Sequence, residues 1–385
     1  MNALWYYAIG FAVIWVVVLV FRGKLVNYGV EVNFPTIMWK TKRLRGFLSR
    51  LANISPKFWK WFMNVGIVVS IIAMVLMAYM IISSLSTITQ APSVSLVIPG
   101  VEIPGSPIFI PFVYGIIGLA TLIIVHEFFH GILAIVERIN IKSIGLLLFA
   151  VLPGAFVEPD EEKMEKATRT SRMRVYSAGS IGNVSLFIVA FLICTAISSY
   201  AIPETFDEAG IQIERVVSGA PADNILGSGM IIKSINGQNV SDSNSYSAVV
   251  SNLKPGEMVN IITDKGYYNF TTGKNPNNPS IGFMGIQSVK YYEVNPSVSN
   301  IFGNQLPWIW FNLLEMFTWI AFLNLAVGLF NLLPMKPLDG GHLLEELLSF
   351  KLPENIVKPI VTAISWIMIF IIVISLLAGL GSGLF

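Results

Sequence analysis

Histidine is nearly missing from this 385-residue chain: it has three. Cysteine is rarer still, with Cys194 alone, which excludes an intrachain disulfide and any cysteine-rich zinc module. Nothing around Cys194 would activate a thiol, so it reads as packing within a membrane helix. Charge is also scarce, at 12% of residues where soluble domains carry roughly 25%. The net charge of +2 is small and the basic residues are not interleaved with a stacking surface, which leaves a nucleic-acid partner without support. No solenoid-type repeat is present.

What the chain has instead is apolar length: 54% of its residues are hydrophobic. A helix crosses a bilayer with about 20 apolar residues. Six stretches qualify, approximately 3–21, 62–84, 111–136, 175–200, 307–333 and 359–380. The first lacks a basic leader and an evident cleavage site, so it reads as a retained helix. Segment 22–61 holds nine basic residues (Arg22, Lys24, Lys40, Lys42, Arg43, Arg45, Arg50, Lys57, Lys60) against one acid, Glu31. The positive-inside rule makes it a cytoplasmic loop. Counting through the spans then puts the N-terminus, 85–110, 201–306 and the C-terminus outside, with 138–174 and 334–358 inside.

Two shorter features stand out. Lys142 to Glu158 is too short to span and is broken by Pro153-Gly154, which predicts a hairpin or re-entrant loop turning there. The acidic run Glu158–Glu165 and the basic run Lys166–Arg174 read as a solvated surface and a positive flank. Across 205–290 the polar residues rise and short β-type runs appear at 211–213, 231–235, 259–262 and 267–270. Asn236-Gly237 signals a tight turn between strands. Two N-glycosylation patterns, at Asn239 and Asn269, are frequent and weak.

All three histidines fall in two motifs: His126-Glu127-Phe128-Phe129-His130 and Leu338-Asp339-Gly340-Gly341-His342. On a helix, positions i and i+4 share a face, so His126 and His130 can reach one metal with Glu127 beside it as base. The motif interrupts an apolar run, where ionisable groups are costly and mark function. A catalytic zinc keeps three protein ligands and an open position. Asp339 is the candidate third, because Pro334 and Pro337 break the helix before it and two glycines follow; its bland alternative is a helix-capping turn. The topology brings both motifs to the cytoplasmic half. Glu127 would take the proton of a water whose pKa the metal lowers. Asn331, Asn183 and Asn324 could hold substrate backbone or an oxyanion, or simply bond between helices. His342 reads as a supporting donor or an interfacial residue. Glu137 and Arg138 mark the end of the metal helix at the interface.

Together, H-E-F-F-H in a membrane helix and P-L-D-G-G-H after a later one resemble the site-2 protease family of intramembrane metalloproteases. Asn331-Leu332-Leu333-Pro334 and Gly179 to Asn183 add to the likeness, which covers about 112 to 345. Residues 205–290 resemble a PDZ domain through Gly219-Ala220-Pro221-Ala222 and Ser234 to Val240. Met230 departs from that pattern, where an acid is usual. The implied fold is a polytopic α-helical membrane protein of about six transmembrane helices with an inserted extracytoplasmic PDZ-like α/β domain. Its parts would be two accessory helices and a basic loop (1–110), a first core part (111–204), the PDZ-like domain (205–290) and a second core part (291–385). The resemblance implies zinc held by His126, His130 and Asp339, with Glu127 activating water; Asn331 is the asparagine expected to join Glu127 as catalytic, from its place eight residues before Asp339. It implies transmembrane-helix substrates in the bilayer, already trimmed by another protease, with segment 144–157 offering them an edge strand. Two rivals remain open: a membrane-anchored zinc protease acting on soluble or misfolded proteins, with Glu158 or Glu161 as third ligand, and a non-enzymatic membrane receptor.

Overall fold

Apolar length becomes helix in six places: Tyr7–Asn27, Pro56–Ser86, Phe112–Val136, Arg169–Thr205, Leu306–Phe330 and Glu354–Gly379 are long and apolar enough to cross a membrane. The protein is a multi-pass membrane protein. The structure, a computed structural model, describes residues 3–41, 43–87, 94, 97–103, 106, 108–150 and 152–382. Lys42 and much of the 85–110 connection lie outside the described residues.

The chain divides into two units, Met1–Cys194 with Leu313–Phe385, and Thr195–Asn312. The first begins with α1 (Ala3–Asn27), strands β1 (Val30–Asn33) and β2 (Thr36–Lys40), then helices α2 (Arg43–Ile54) and α3 (Pro56–Ser83). Segment 22–61, expected as a basic loop, is therefore folded. Leu44, Leu48, Leu51 and Ala52 recur at helical spacing on α2 and pack into one apolar cluster with Ile132 and Leu133. Arg45 and Arg50 stay exposed. Ser55 caps α3 by accepting from the N–H of Phe58, and Pro56 occupies the first turn, where its missing N–H costs nothing.

Next come α4 (Phe112–Val136), β3 (Ile141–Phe149), β4 (Leu152–Pro159), α5 (Glu161–Lys166) and α6 (Arg169–Ala196). Strands β1 to β4 form one antiparallel sheet in that order, so β4 is an edge. The hairpin turns at Ala150, which has a left-handed φ of 56°, and not at Pro153-Gly154. Those two residues lie within β4, opposite Leu148 and Leu147. An edge strand tolerates a proline because no partner needs its N–H.

The second unit holds α7 (Ile202–Thr205), β5 (Phe206–Val216), β6 (Ile231–Ile235), β7 (Gln238–Asn239), α8 (Ser243–Val250), β8 (Met258–Thr263) and β9 (Gly266–Thr271). It continues through β10 (Gly273–Lys274), β11 (Gly282–Phe283), β12 (Ile286–Val294) and α9 (Pro296–Phe302). Its main sheet runs β12-β5-β6-β8-β9, with β7 beside β6. Asn236 (φ 51°) and Gly237 (φ 76°) turn β6 into β7, as their pairing of left-handed formers requires. The unit exceeds the expected 205–290 because β12 pairs with β5 from Ile286–Val216 to Val294–Phe206.

The chain then completes the first unit with α10 (Ile309–Phe330), α11 (Asp339–Leu348) and α12 (Glu354–Ser382). In the inserted unit, Ile213, Ile232, Ile235, Val259 and Ile261 are fully buried. Replacing Ile261 by Ala should destabilise that unit by about 2–5 kcal/mol. Amide exchange on the full-length protein would show it as faster exchange confined to the β5–β9 sheet.

Candidate metal centre

His126 and His130 both lie on α4, one turn apart. Their Nε2 atoms are 3.1 Å from each other. Oδ2 of Asp339 stands 3.4 Å from the first and 3.3 Å from the second. Three donors held about 2.1 Å from one tetrahedral zinc ion would be about 3.4 Å apart, so this triangle has the size such an ion requires. It is the one group of three or more potential ligands of this kind among the described residues. Oδ2 of Asp339 is also buried and accepts no hydrogen bond. A buried carboxylate oxygen with no donor is costly unless a cation meets it.

Asp339 is the first residue of α11, and the preceding Leu338 occupies the cap position without a side-chain cap bond. Its carboxylate is thus turned to the histidines and not spent on capping. The turn before it is tight. The N–H of Gly340 donates to the carbonyl of Asn331 at 2.8 Å. A side chain at Gly340 would strike the Leu332 and Leu333 backbone, and one at Gly341 the Met335 and Lys336 backbone. That is why two glycines follow the aspartate.

Partners behind the ligands orient them. Nδ1 of His130 is 2.7 Å from the carbonyl of Val175 on α6. The carbonyl can only accept, so Nδ1 carries the proton and Nε2 keeps its lone pair for the centre. Nδ1 of His126 is 3.1 Å from the amide of Asn183, whose Oδ1 is otherwise unpartnered. Amide oxygen and nitrogen are assigned by their partners. Turning the amide lets Oδ1 accept from Nδ1–H and leaves Nε2 of His126 free as well. Between these contacts lies Gly179. A Cβ there would overlap His130 Nε2 and sit 2.5 Å from Cε1 of His126. Glycine lets α6 approach to the imidazoles themselves.

Oε2 of Glu127 accepts the N–H of Val157 at 2.8 Å. Glu127 therefore faces the side of β4 that does not pair with β3. Asn331 is half-buried, and its side chain makes no hydrogen bond among the described residues. Asn324 is fully buried and donates to the Ile320 carbonyl of its own helix at 2.8 Å. It joins α10 internally and is not brought to the triangle. His342 stacks on Tyr176, with ring centroids 4.9 Å apart and planes at 17°. Burial, then the neighbouring Lys336, hold its imidazole below the ordinary pKa, so it is neutral there. Glu158 and Glu161 are exposed and stand outside the group. Glu137 caps the end of α4 with Arg138 next to it in the left-handed conformation (φ 63°), and its side chain is only 3% exposed and ion-paired to Arg174.

Sequence reading missed the Val175 carbonyl, because a backbone acceptor leaves no mark in composition. It named Gly179 only as part of a pattern, and Asn183 as an amide for substrate, an oxyanion or an interhelical bond, of which the structure shows the interhelical bond, to His126; the four-residue spacing that puts the two on one face was the usable signal. Two measurements follow. Gly179→Ala should abolish metal uptake by steric overlap, read as metal content of the purified protein. Asp339→Asn should cut zinc affinity by at least about 10-fold, read by chelator competition.

Residues 114–374 match peptidase family M50. An uncharacterized protein of Methanocaldococcus jannaschii is 31% identical over 238 residues, covering 60% of this chain and 56% of the relative. The chain thus matches little more than half the length of that relative. The matched region spans both motifs, α6 and the inserted unit. The chain belongs to peptidase family M50, the site-2 protease family of membrane metalloproteases.

Proposed function

We propose that this protein is an intramembrane zinc metalloprotease that hydrolyses a peptide bond within or near the transmembrane helix of membrane-anchored substrates. The observation that carries the reading is the 3.1–3.4 Å triangle of His126, His130 and Asp339, with a buried carboxylate oxygen that has no hydrogen-bond donor. These three residues would hold the zinc. When bound, zinc would polarise the scissile carbonyl and lower the pKa of the attacking water.

The other roles belong to the chain. Glu127 takes the water's proton at its carboxylate and passes it to the departing amine nitrogen. It is held for this by the Val157 N–H, which leaves its second oxygen for the water. Asn331 offers its unengaged amide to substrate backbone or to the oxyanion. A helical peptide bond is shielded by its own hydrogen bonds, so the substrate has to unwind. The free edge of β4 supports that step, since an extended segment could pair with it and lie directly beside Glu127. Asn183 and the Val175 carbonyl keep both imidazoles turned to the centre.

By the charge rule, the cleavage would occur toward the cytoplasmic side, with the inserted unit outside. There it would act as a PDZ-like module that excludes untrimmed proteins or engages an end newly exposed by another protease. The bundle interior favours lipid-embedded substrates over soluble ones, because its three ligands come from a membrane-spanning helix and the turn after another.

The test is cleavage of a transmembrane-helix substrate in lipid by wild type and by Glu127→Gln, with zinc measured in both. The variant should keep its zinc and lose about 10²–10⁴-fold in rate. Equal cleavage by both would remove Glu127 from the reaction. Asp339→Asn should lose zinc, whereas Glu158→Gln and Glu161→Gln should retain it; the opposite pattern would favour a protease with an aqueous third ligand.

A further inference from the structure

Both halves of the centre are tied to α6 at the same offset. Glu137 lies seven residues after His130, and Glu346 lies seven residues after Asp339. Seven residues are about two helical turns, so each carboxylate follows its ligand's own face. Each meets an arginine of α6. Nε and Nη2 of Arg172 donate to the two oxygens of Glu346 at 2.6 and 2.8 Å. Its remaining Nη1 donates to the carbonyls of Glu165 and Ala167 at 3.0 and 2.8 Å. Nη1 of Arg174 donates to Oε1 of Glu137 at 2.9 Å, while its Nε donates to Oδ1 of Asn64 on α3, also at 2.9 Å. Glu137 further accepts from Ser171 Oγ at 2.6 Å and faces Lys60 of α3 at 3.6 Å.

These are not surface pairs. Side-chain exposure is 18% and 12% for Arg172 and Glu346, and 15% and 3% for Arg174 and Glu137. Burying such pairs is costly and gives little net stability, though it can specify register. The Val175 and Asn183 contacts fix α4 against α6 at the rings, and among the described residues no such contact joins α6 to α11 at Asp339 itself. In lipid there is no hydrophobic driving force between helices, so interhelical hydrogen bonds and close packing set their relative positions. The ligands sit on segments about 200 residues apart. A planar guanidinium held at two or more points has a fixed geometry and resists sliding. Val175, whose carbonyl orients His130, follows Arg174 directly.

We propose that Arg172 and Arg174 are positioning residues for the metal centre: two arginine forks on one helix set the segments carrying His130 and Asp339 in mutual register. Helix α3, through Asn64 and Lys60, is part of this scaffold and not an accessory. The inference rests on the metal-centre reading above.

The test uses the full-length protein in lipid nanodiscs with Co²⁺ in place of zinc. Affinity is measured by chelator competition and geometry by the visible absorption of the bound Co²⁺. Arg172→Lys and Arg174→Lys keep the charge and remove the fork. Each should weaken Co²⁺ binding roughly 10–100-fold and change the spectrum. Val18→Ala, in the separate α1–hairpin cluster, is the control: it should lower the melting temperature and leave affinity and spectrum unchanged. If the lysine variants do not fold, Glu346→Gln and Glu137→Gln break the same forks from the other side and are read identically. Folded variants with wild-type affinity and spectrum overturn the proposal. A wild type that takes up no metal defeats the metal-centre reading instead, which is a separate outcome.

Discussion

One constraint organises this molecule: two imidazoles and a carboxylate must converge inside a helical bundle, with a buried oxygen that has no hydrogen-bond donor. Ionisable groups at that depth are unfavourable unless they meet one another or a cation. The convergence draws on segments far apart in sequence, so it demands close backbone approach. Gly179 lets α6 touch both rings, and Gly340-Gly341 let the turn after α10 fold over the start of α11. A side chain at Gly179 would occupy the space of the imidazoles, and one at Gly340 or Gly341 would strike the backbone of 332–336.

Helix α6 emerges as the shared frame. It supplies the Val175 carbonyl to His130 and the Asn183 amide to His126. It also carries the two arginines that bridge to Glu137 and Glu346. The sheet is the second frame. Strands from before and after α4 pair into β1-β2-β3-β4, and the edge of β4 that no strand pairs gives its Val157 N–H to Glu127. A carboxylate and a strand edge thus lie side by side, and it is on this juxtaposition that the proposed pairing with an extended substrate rests.

Much of this was legible in one dimension. The six spans follow from apolar length, because a bilayer imposes a minimum on each. The H-E-x-x-H pair follows from helical periodicity, and the distant aspartate from prolines and glycines that disrupt the helix around it. Other features were not legible. The 22–61 segment reads as a loop because its strands are short and complete their sheet only with residues more than 100 positions later. Pro153-Gly154 reads as a turn, but the turn is at Ala150, since an edge strand accommodates proline. The ion pairs of Glu137 were not legible either, because its cationic partners Lys60 and Arg174 lie on other helices.

By itself, then, the sequence determined the spans, the residue types able to bind a cation, and the tight turn at Asn236-Gly237, all of which depend on local periodicity or backbone preference. Tertiary structure decided which asparagine serves a histidine and which serves its own helix. It also decided that Asp339 faces the imidazoles, and that arginines on α6 bridge both ligand-bearing segments. Those outcomes depend on the distance between groups on different elements, and no spacing along the chain encodes that distance.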